Sequence, residues 1–170
     1  MDLTTSYQPG HTVDCSRNSP TWSGTAADTT IYPGFLLEIS LSTYTNNGYT
    51  YMSANFGDSN TVEGEAIQCE IPEIHPQSTT PYDKATAFAT ADHINVIQHV
   101  VGNEYWLKGS SITTVHDQTK LICAGAGLVK AALGHTATPL PMHMWLAKLS
   151  VTSATWVRAN YLGIVSSFSA

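Results

Sequence analysis

The sequence predicts an all-β fold, either a small β-barrel or a β-sandwich, with an extended N-terminal arm. Short apolar stretches recur about every 8–12 residues, separated by Gly, Pro, Asn and Ser, a pattern typical of such folds. Helical periodicity is brief wherever it occurs: the best candidate, GLVKAALG, has only six residues between its glycines. We expect the arm to span residues 1–30 and the β-domain to span residues 31–170.

The predicted arm is polar, contains proline and glycine, and shows no sustained period. A segment of this composition buries too little apolar surface to offset the entropy of ordering it. Its apolar residues Tyr7, Val13 and Trp22 are more useful in an extended arm that docks on another surface. We therefore expect these three residues to make contacts with another protein or another protomer; the alternative is a loosely ordered terminus.

The predicted strands begin with FLLEISL at residues 35–41. Asn47 and Gly48 then predict a hairpin, because both central residues of a type I′ turn need positive φ. Further strands are expected in EAIQCEI, ATADHINVIQHVV, NEYWLKGSSIT, KLICAG and LVKAALG, and around residues 145–151 and 155–164. The stretch PEIHPQSTTP at residues 72–81 has three prolines and predicts a loop.

Charge and composition argue against several classes of partner. The net charge is −6, with only five Lys and two Arg and no basic cluster, which argues against binding to nucleic acid or to anionic membranes. The chain has 22 Thr and 16 Ser but only 12% charged residues. Such a hydroxyl-rich surface favours a protein that sits in an assembly or outside the cell. The first residues lack the features of a signal peptide, and no stretch is apolar enough to span a membrane, so we expect synthesis in the cytoplasm.

Candidate catalytic and metal-binding patterns are weak. His93 and His99 are six residues apart and would share a strand face at about 20 Å, too far for one metal ion. The glycines of CAGAGLVKAA lack the third glycine and the following helix of a dinucleotide site, and predict a tight turn instead. No G-x-S-x-G motif occurs. We therefore expect no enzymatic activity, no cofactor and no metal.

The cysteines and tryptophans also fit a structural role. Three cysteines, 54 residues apart each time, are more consistent with buried free thiols than with a disulfide framework, although one bridge is possible. Trp106, Trp145 and Trp156 are expected in the core or at a protomer interface, with stacking on sugar rings as the alternative. The proline-rich loop supplies a second expected contact region, formed by His75, Pro76 and Tyr82.

Four stretches together cover roughly residues 31–164: YPGFLLEI, PYDKATAFATADHINVI, GNEYWLKGSSITTVHDQTKLICAGAGLVKAA and AKLSVTSATWVRANYLG. In this order they resemble the capsid decoration proteins of tailed viruses, the cement or head-stabilising proteins of the small β-barrel kind. The resemblance lies in the order of turns and strands. The N-terminal arm and the proline-rich insert are additional to the family pattern, and Ala91-Asp92 replaces the common Gly-Asp.

The resemblance implies a non-enzymatic virion protein without a cofactor, located on the capsid surface after synthesis in the host cytoplasm. It implies binding to the major capsid protein, bridging of neighbouring capsomers and assembly as a homotrimer. Three alternatives remain open from the residues alone: a self-assembling subunit of an extracellular filament or surface layer, a carbohydrate-binding β-sandwich and, more remotely, a small hydrolase.

Overall fold

The computed structural model describes residues 12–14, 18–45, 48–54, 65–110, 114–132, 142–148, 151–152 and 156–165. Over these residues the chain forms strands and turns and no helix, which confirms the all-β prediction. The strands are β1 Thr12–Asp14, β2 Thr21–Ala26, β3 Leu36–Thr45, β4 Gly48–Ser53, β5 Ile67–Cys69, β6 His93–Gln98, β7 Glu104–Lys108, β8 Thr114–Val115, β9 Lys120–Gly125, β10 Leu128–Ala131, β11 Met142–Ala147, β12 Val151–Thr152 and β13 Trp156–Val165.

Five strands close into a barrel in the order β2-β4-β3-β5-β6. The β2–β4 pair is parallel, and the other neighbours are antiparallel. Since β2 is bonded to β4 on one side and to β6 on the other, Thr21–Ala26 is barrel wall rather than arm. This corrects the predicted boundary at residue 31, because without β2 the barrel would be open.

The remaining sheet has the order β1-β7-β13-β11-β9-β10 and is antiparallel throughout. It curls towards closure, because a bridge joins Gly109 to Val129 and the Ser110 amide donates to the Val129 carbonyl at 2.8 Å. The short strands β8 and β12 pair separately with each other.

One apolar core fills the barrel and a second core joins the barrel to the six-stranded sheet. Strand β6 serves both cores: Val96 faces the barrel interior, and the next residue, Ile97, packs into the shared core. Neighbouring residues on one strand are therefore both buried, because both faces of β6 are covered. The shared core consists of Leu36, Ala54, Ala66, Ile97, Tyr105, Leu107, Leu121, Cys123, Val129, Trp145, Ala147, Val157, Ala159 and Tyr161.

The predicted hairpin is present, one residue away from its expected position. Strands β3 and β4 are antiparallel, and Thr45 lies opposite Gly48, so the connection is residues 46–47, which lie outside the described part of the chain. Gly48 opens β4 with φ of 89°. A Cβ at this position would lie 2.5 Å from the Ser23 carbonyl oxygen, so glycine is needed for the close approach of β4 to β2.

Candidate functional site

The longest connection that the structure describes runs from the end of β5 to the start of β6, residues 70–92, and contains the predicted proline-rich loop. Loops longer than about 12–15 residues without regular structure are uncommon in compact domains and are usually functional or disordered. Hydrogen bonds at both ends and in the middle fix this loop. Its length combined with its order makes it the leading candidate for a functional surface.

Asp83 organises the middle of the loop. Its carboxylate accepts hydrogen bonds from the Ala85 amide at 2.7 Å, the Thr86 amide at 3.3 Å and the Thr86 hydroxyl at 2.6 Å. Hydrogen bonds from the Ser78 and Thr86 side chains, together with the two amides, hold the pKa of Asp83 well below its usual range. The carboxylate is thus charged at neutral pH and acts as a local hydrogen-bond acceptor for the turn.

Asp92 fastens the far end of the loop to the barrel. Its side chain accepts the Ala89 amide at 2.7 Å and the Gln77 side-chain amide at 3.2 and 3.3 Å. Its carbonyl accepts the Ala26 amide at 2.9 Å, and the Ala91 amide donates to the Ala26 carbonyl at 2.8 Å. The backbone bonds therefore tie the loop to β2, and the side-chain bonds of Asp92 connect residues within the loop.

His75 is a residue of this loop whose side chain is buried, which corrects the prediction that it forms part of the contact surface. Only 1% of the residue is exposed, and its ring packs at a tilt against Phe88 of the barrel core with centroids 4.3 Å apart. Its Nδ1 accepts the Gln77 amide at 3.0 Å, and burial lowers the pKa of the imidazole. His75 points inward because its ring packs against Phe88, and this contact helps to hold the loop against the barrel core.

Among the exposed residues of the loop, Ile74, Pro76 and Tyr82 carry apolar or aromatic side chains, and we call these three residues the loop face. Ile74 is 81% exposed and Tyr82 41% exposed, and Pro76 is also exposed. A turn closed by the Ser78 amide and the His75 carbonyl presents Pro76, and the Tyr82 amide donates to the Glu73 carbonyl, next to Ile74. Pro76 and Tyr82 were predicted as contact residues from the sequence, whereas Ile74 was missed.

Tyr82 has a strained backbone, with a positive φ of 53°. A bulky residue in the left-handed region costs of the order of 1–3 kcal/mol and persists only where its surroundings impose that conformation. Here the Glu73 carbonyl and the Asp83 turn flank the strained position. A strained backbone at an exposed aromatic residue favours a functional role for Tyr82.

The three arm residues do not join the loop in one described site. Tyr7 lies outside the described residues, and Val13 belongs to β1, which pairs with β7 at the edge of the six-stranded sheet. Trp22 lies in the barrel strand β2, where it is half-buried and its indole N–H donates to the Tyr51 hydroxyl. The prediction that Trp22 belongs to the extended N-terminal arm is therefore corrected.

The tryptophans expected in the core or at an interface divide between two environments. Trp106 is 3% exposed and Trp145 is fully buried, so neither ring offers a face to a sugar. Trp156 is half-buried on β13, with the Lys108 Nζ 4.9 Å from its ring centroid. The burial of Trp106 thus argues against a role for this residue in the carbohydrate-binding alternative.

The candidate chemical groups are engaged in packing. Cys69 and Cys123 are buried free thiols, as predicted, and Cys15 lies outside the described residues. The GAG stretch is the tight turn between β9 and β10 that was predicted. The expectation that His93 and His99 share a strand face was wrong, because β6 ends at Gln98: His93 is exposed, and His99 is buried beyond the strand.

Within the part of the chain that the structure describes, no group of three His, Cys, Asp or Glu side chains could hold a metal ion. Over the same residues, no helix has the length and apolar character to cross a membrane. No family model matches the chain, and no curated protein matches it. The loop face is therefore the described feature from which function is inferred.

Proposed function

We propose that the protein is a structural virion protein that binds the outer surface of a capsid and stabilises it by bridging capsomers. The observation that carries this proposal is the loop face: an ordered loop presents apolar side chains to solvent on a strained, hydrogen-bonded backbone. From the resemblance to capsid decoration proteins we further propose that the partner is the major capsid protein and that the protein is a homotrimer.

An ordered loop suits adhesion because little conformational entropy remains to be lost when it binds. Ile74 alone is 81% exposed, and covering such a side chain contributes about 1.5–3 kcal/mol. That is a weak interaction for a single copy. Repetition on a trimer and across a shell multiplies it into firm attachment, while the net charge of −6 keeps free copies apart in solution.

The test mixes the purified protein with undecorated shells of the major capsid protein encoded in the same genome and measures bound copies by sedimentation and imaging. The double variant Ile74→Ser/Tyr82→Ser removes the apolar part of the loop face. Val101→Ser is the matched control, because Val101 is 51% exposed and lies beyond the opposite end of β6. We expect the double variant to bind at least tenfold more weakly and the control to bind like the wild type.

Equal binding by the double variant and the wild type would refute the role of the loop face. Equal loss in the double variant and the Val101 control would show that general surface apolarity matters instead. The arm is tested separately by deleting residues 1–11, which precede β1 and leave the barrel strand β2 intact. Loss of attachment with an unchanged circular dichroism spectrum would show that the arm also binds, and unchanged attachment would remove the arm from the proposal.

A further inference from the structure

His99 lies at the joint between the barrel and the six-stranded sheet. The joint consists of Gln68 and His99 on the barrel side and Tyr105, Trp145 and Tyr161 on the sheet side. His99 is 2% exposed and its ring stacks on Tyr105 with centroids 3.7 Å apart. Its position after β6 is fixed by its amide, which donates to the Ala66 carbonyl at 2.8 Å.

The hydrogen bonds of the joint determine the protonation state of His99. The Trp145 indole N–H is only a donor, so the His99 Nδ1, 3.0 Å away, must accept. The Gln68 amide nitrogen donates to the carbonyls of Gly34 at 2.7 Å and Trp106 at 2.6 Å, which leaves its oxygen to accept from His99 Nε2 at 3.0 Å. The ring is therefore neutral, with its proton on Nε2, and both of its nitrogens are in use.

Adding a second proton to the His99 ring breaks its hydrogen bond with Trp145. It would sit on Nδ1 and point at the Trp145 N–H, so two donors would face each other in a buried site. The titratable groups around His99 do not compensate: Tyr105 and Tyr161 contact the ring from β7 and β13, and His143 of β11 has the same sign of charge. Glu104 of β7 is paired with Arg158.

We propose that acid weakens this joint by protonating His99, so that the barrel and the six-stranded sheet separate locally while the barrel itself stays folded. The barrel core does not include His99, and it has its own buried residues, among them Leu37, Tyr51 and Phe88. The joint lies beside the shared core and the contacts of the β9–β10 turn with the barrel, so its opening loosens both. The inference concerns the isolated protein and does not depend on capsid binding.

Burial is the first cause that lowers the pKa of His99, from 6.5 to about 3, and His143 is the second. A group with a lowered native pKa favours the closed state above its open-state value and loses that advantage as the pH falls. With these values, the ratio of closed to open joints falls about 30-fold between pH 7.5 and pH 5, and about 300-fold at pH 4.

Amide hydrogen exchange, corrected for the intrinsic pH dependence, measures this opening directly. The joint reporters are the amides of Leu36, which donates to the Gly127 carbonyl, and Gly127, which donates to the Ala54 carbonyl. The barrel reporter is the Ala27 amide, which donates to the Tyr51 carbonyl of β4 at 2.7 Å. Protection of the joint reporters is expected to fall about 30-fold between pH 7.5 and pH 5, while that of Ala27 changes by less than about threefold.

The variant His99→Gln removes the titrating group and should abolish the pH-dependent loss at the joint, whereas the exposed control His93→Gln should keep it. Should His99→Gln fail to fold, Trp145→Phe removes the opposing N–H instead, and the titration midpoint of His99 followed by NMR should rise. The proposal is overturned if joint protection is constant with pH, if Ala27 loses protection in parallel, or if the midpoint in Trp145→Phe stays unchanged.

Discussion

Gly127 docks the β9–β10 turn on the barrel, and replacing it with alanine should weaken that contact. The residue has φ of 73°, and a Cβ would lie 2.7 Å from Phe35 Cδ2 and 2.9 Å from the Leu36 carbonyl oxygen. The positive φ costs an alanine about 1 kcal/mol, and overpacking against a barrel residue adds about 1–3 kcal/mol. We expect Gly127→Ala to lower the free energy of unfolding by about 2–4 kcal/mol.

Gly102 is the matched control for this prediction. Its φ is 92°, but nothing lies within 4 Å of the position that its Cβ would occupy. Gly102→Ala therefore carries the backbone strain without the steric overlap and should cost only about 1 kcal/mol. Urea unfolding of both variants gives the difference, and a difference below about 0.5 kcal/mol would refute the claim that close packing of the turn against the barrel requires glycine.

Three more predictions follow from buried or hydrogen-bonded groups. The thiols of Cys69 and Cys123 should react with a thiol reagent only after unfolding, because burial raises the pKa of both; rapid labelling of either thiol in a native Cys15→Ser variant would contradict this. Asp83→Ala should speed proteolysis of the loop without changing the circular dichroism spectrum of the protein. Acid should also speed proteolysis of the loop, because a lowered carboxyl pKa gives stability that disappears as the pH falls below about 4. Gln68→Leu should cost about 3 kcal/mol in urea unfolding, because it leaves the His99 Nε2–H and two backbone carbonyls without this partner; a cost below about 1 kcal/mol would argue against the buried network.

The fold class followed from the sequence because strand and turn signals are local. FLLEISL and KLICAG combine apolar β-formers with flanking breakers, and they became β3 and β9. Strand β2 gave no such signal, because its two buried positions, Gly24 and Ala26, are small. A Cβ on Gly24 would lie 2.4 Å from the Tyr51 ring, so the aromatic side chain from the neighbouring strand fills the space that an apolar residue would otherwise occupy.

The exposed residues of the loop were predicted only in part, because inward and outward directions in a loop depend on tertiary partners. The proline-rich stretch correctly indicated a loop and placed Pro76 and Tyr82 at the surface. The polarity of the two residues before Pro76 was misleading: Ile74 faces solvent, while His75 turns inward to pack against Phe88. No local pattern predicts that exchange, since Phe88 is thirteen residues further along the chain.

Imaging of shells saturated with this protein, at a resolution that places its strands, tests most directly whether the loop face is an attachment surface. The proposal predicts density for the protein on the outside of the shell, at positions that bridge capsomers, with Ile74 and Tyr82 facing the capsid protein. Bound protein whose residues 70–92 point to solvent, or shells that remain bare at saturating concentration, would contradict it.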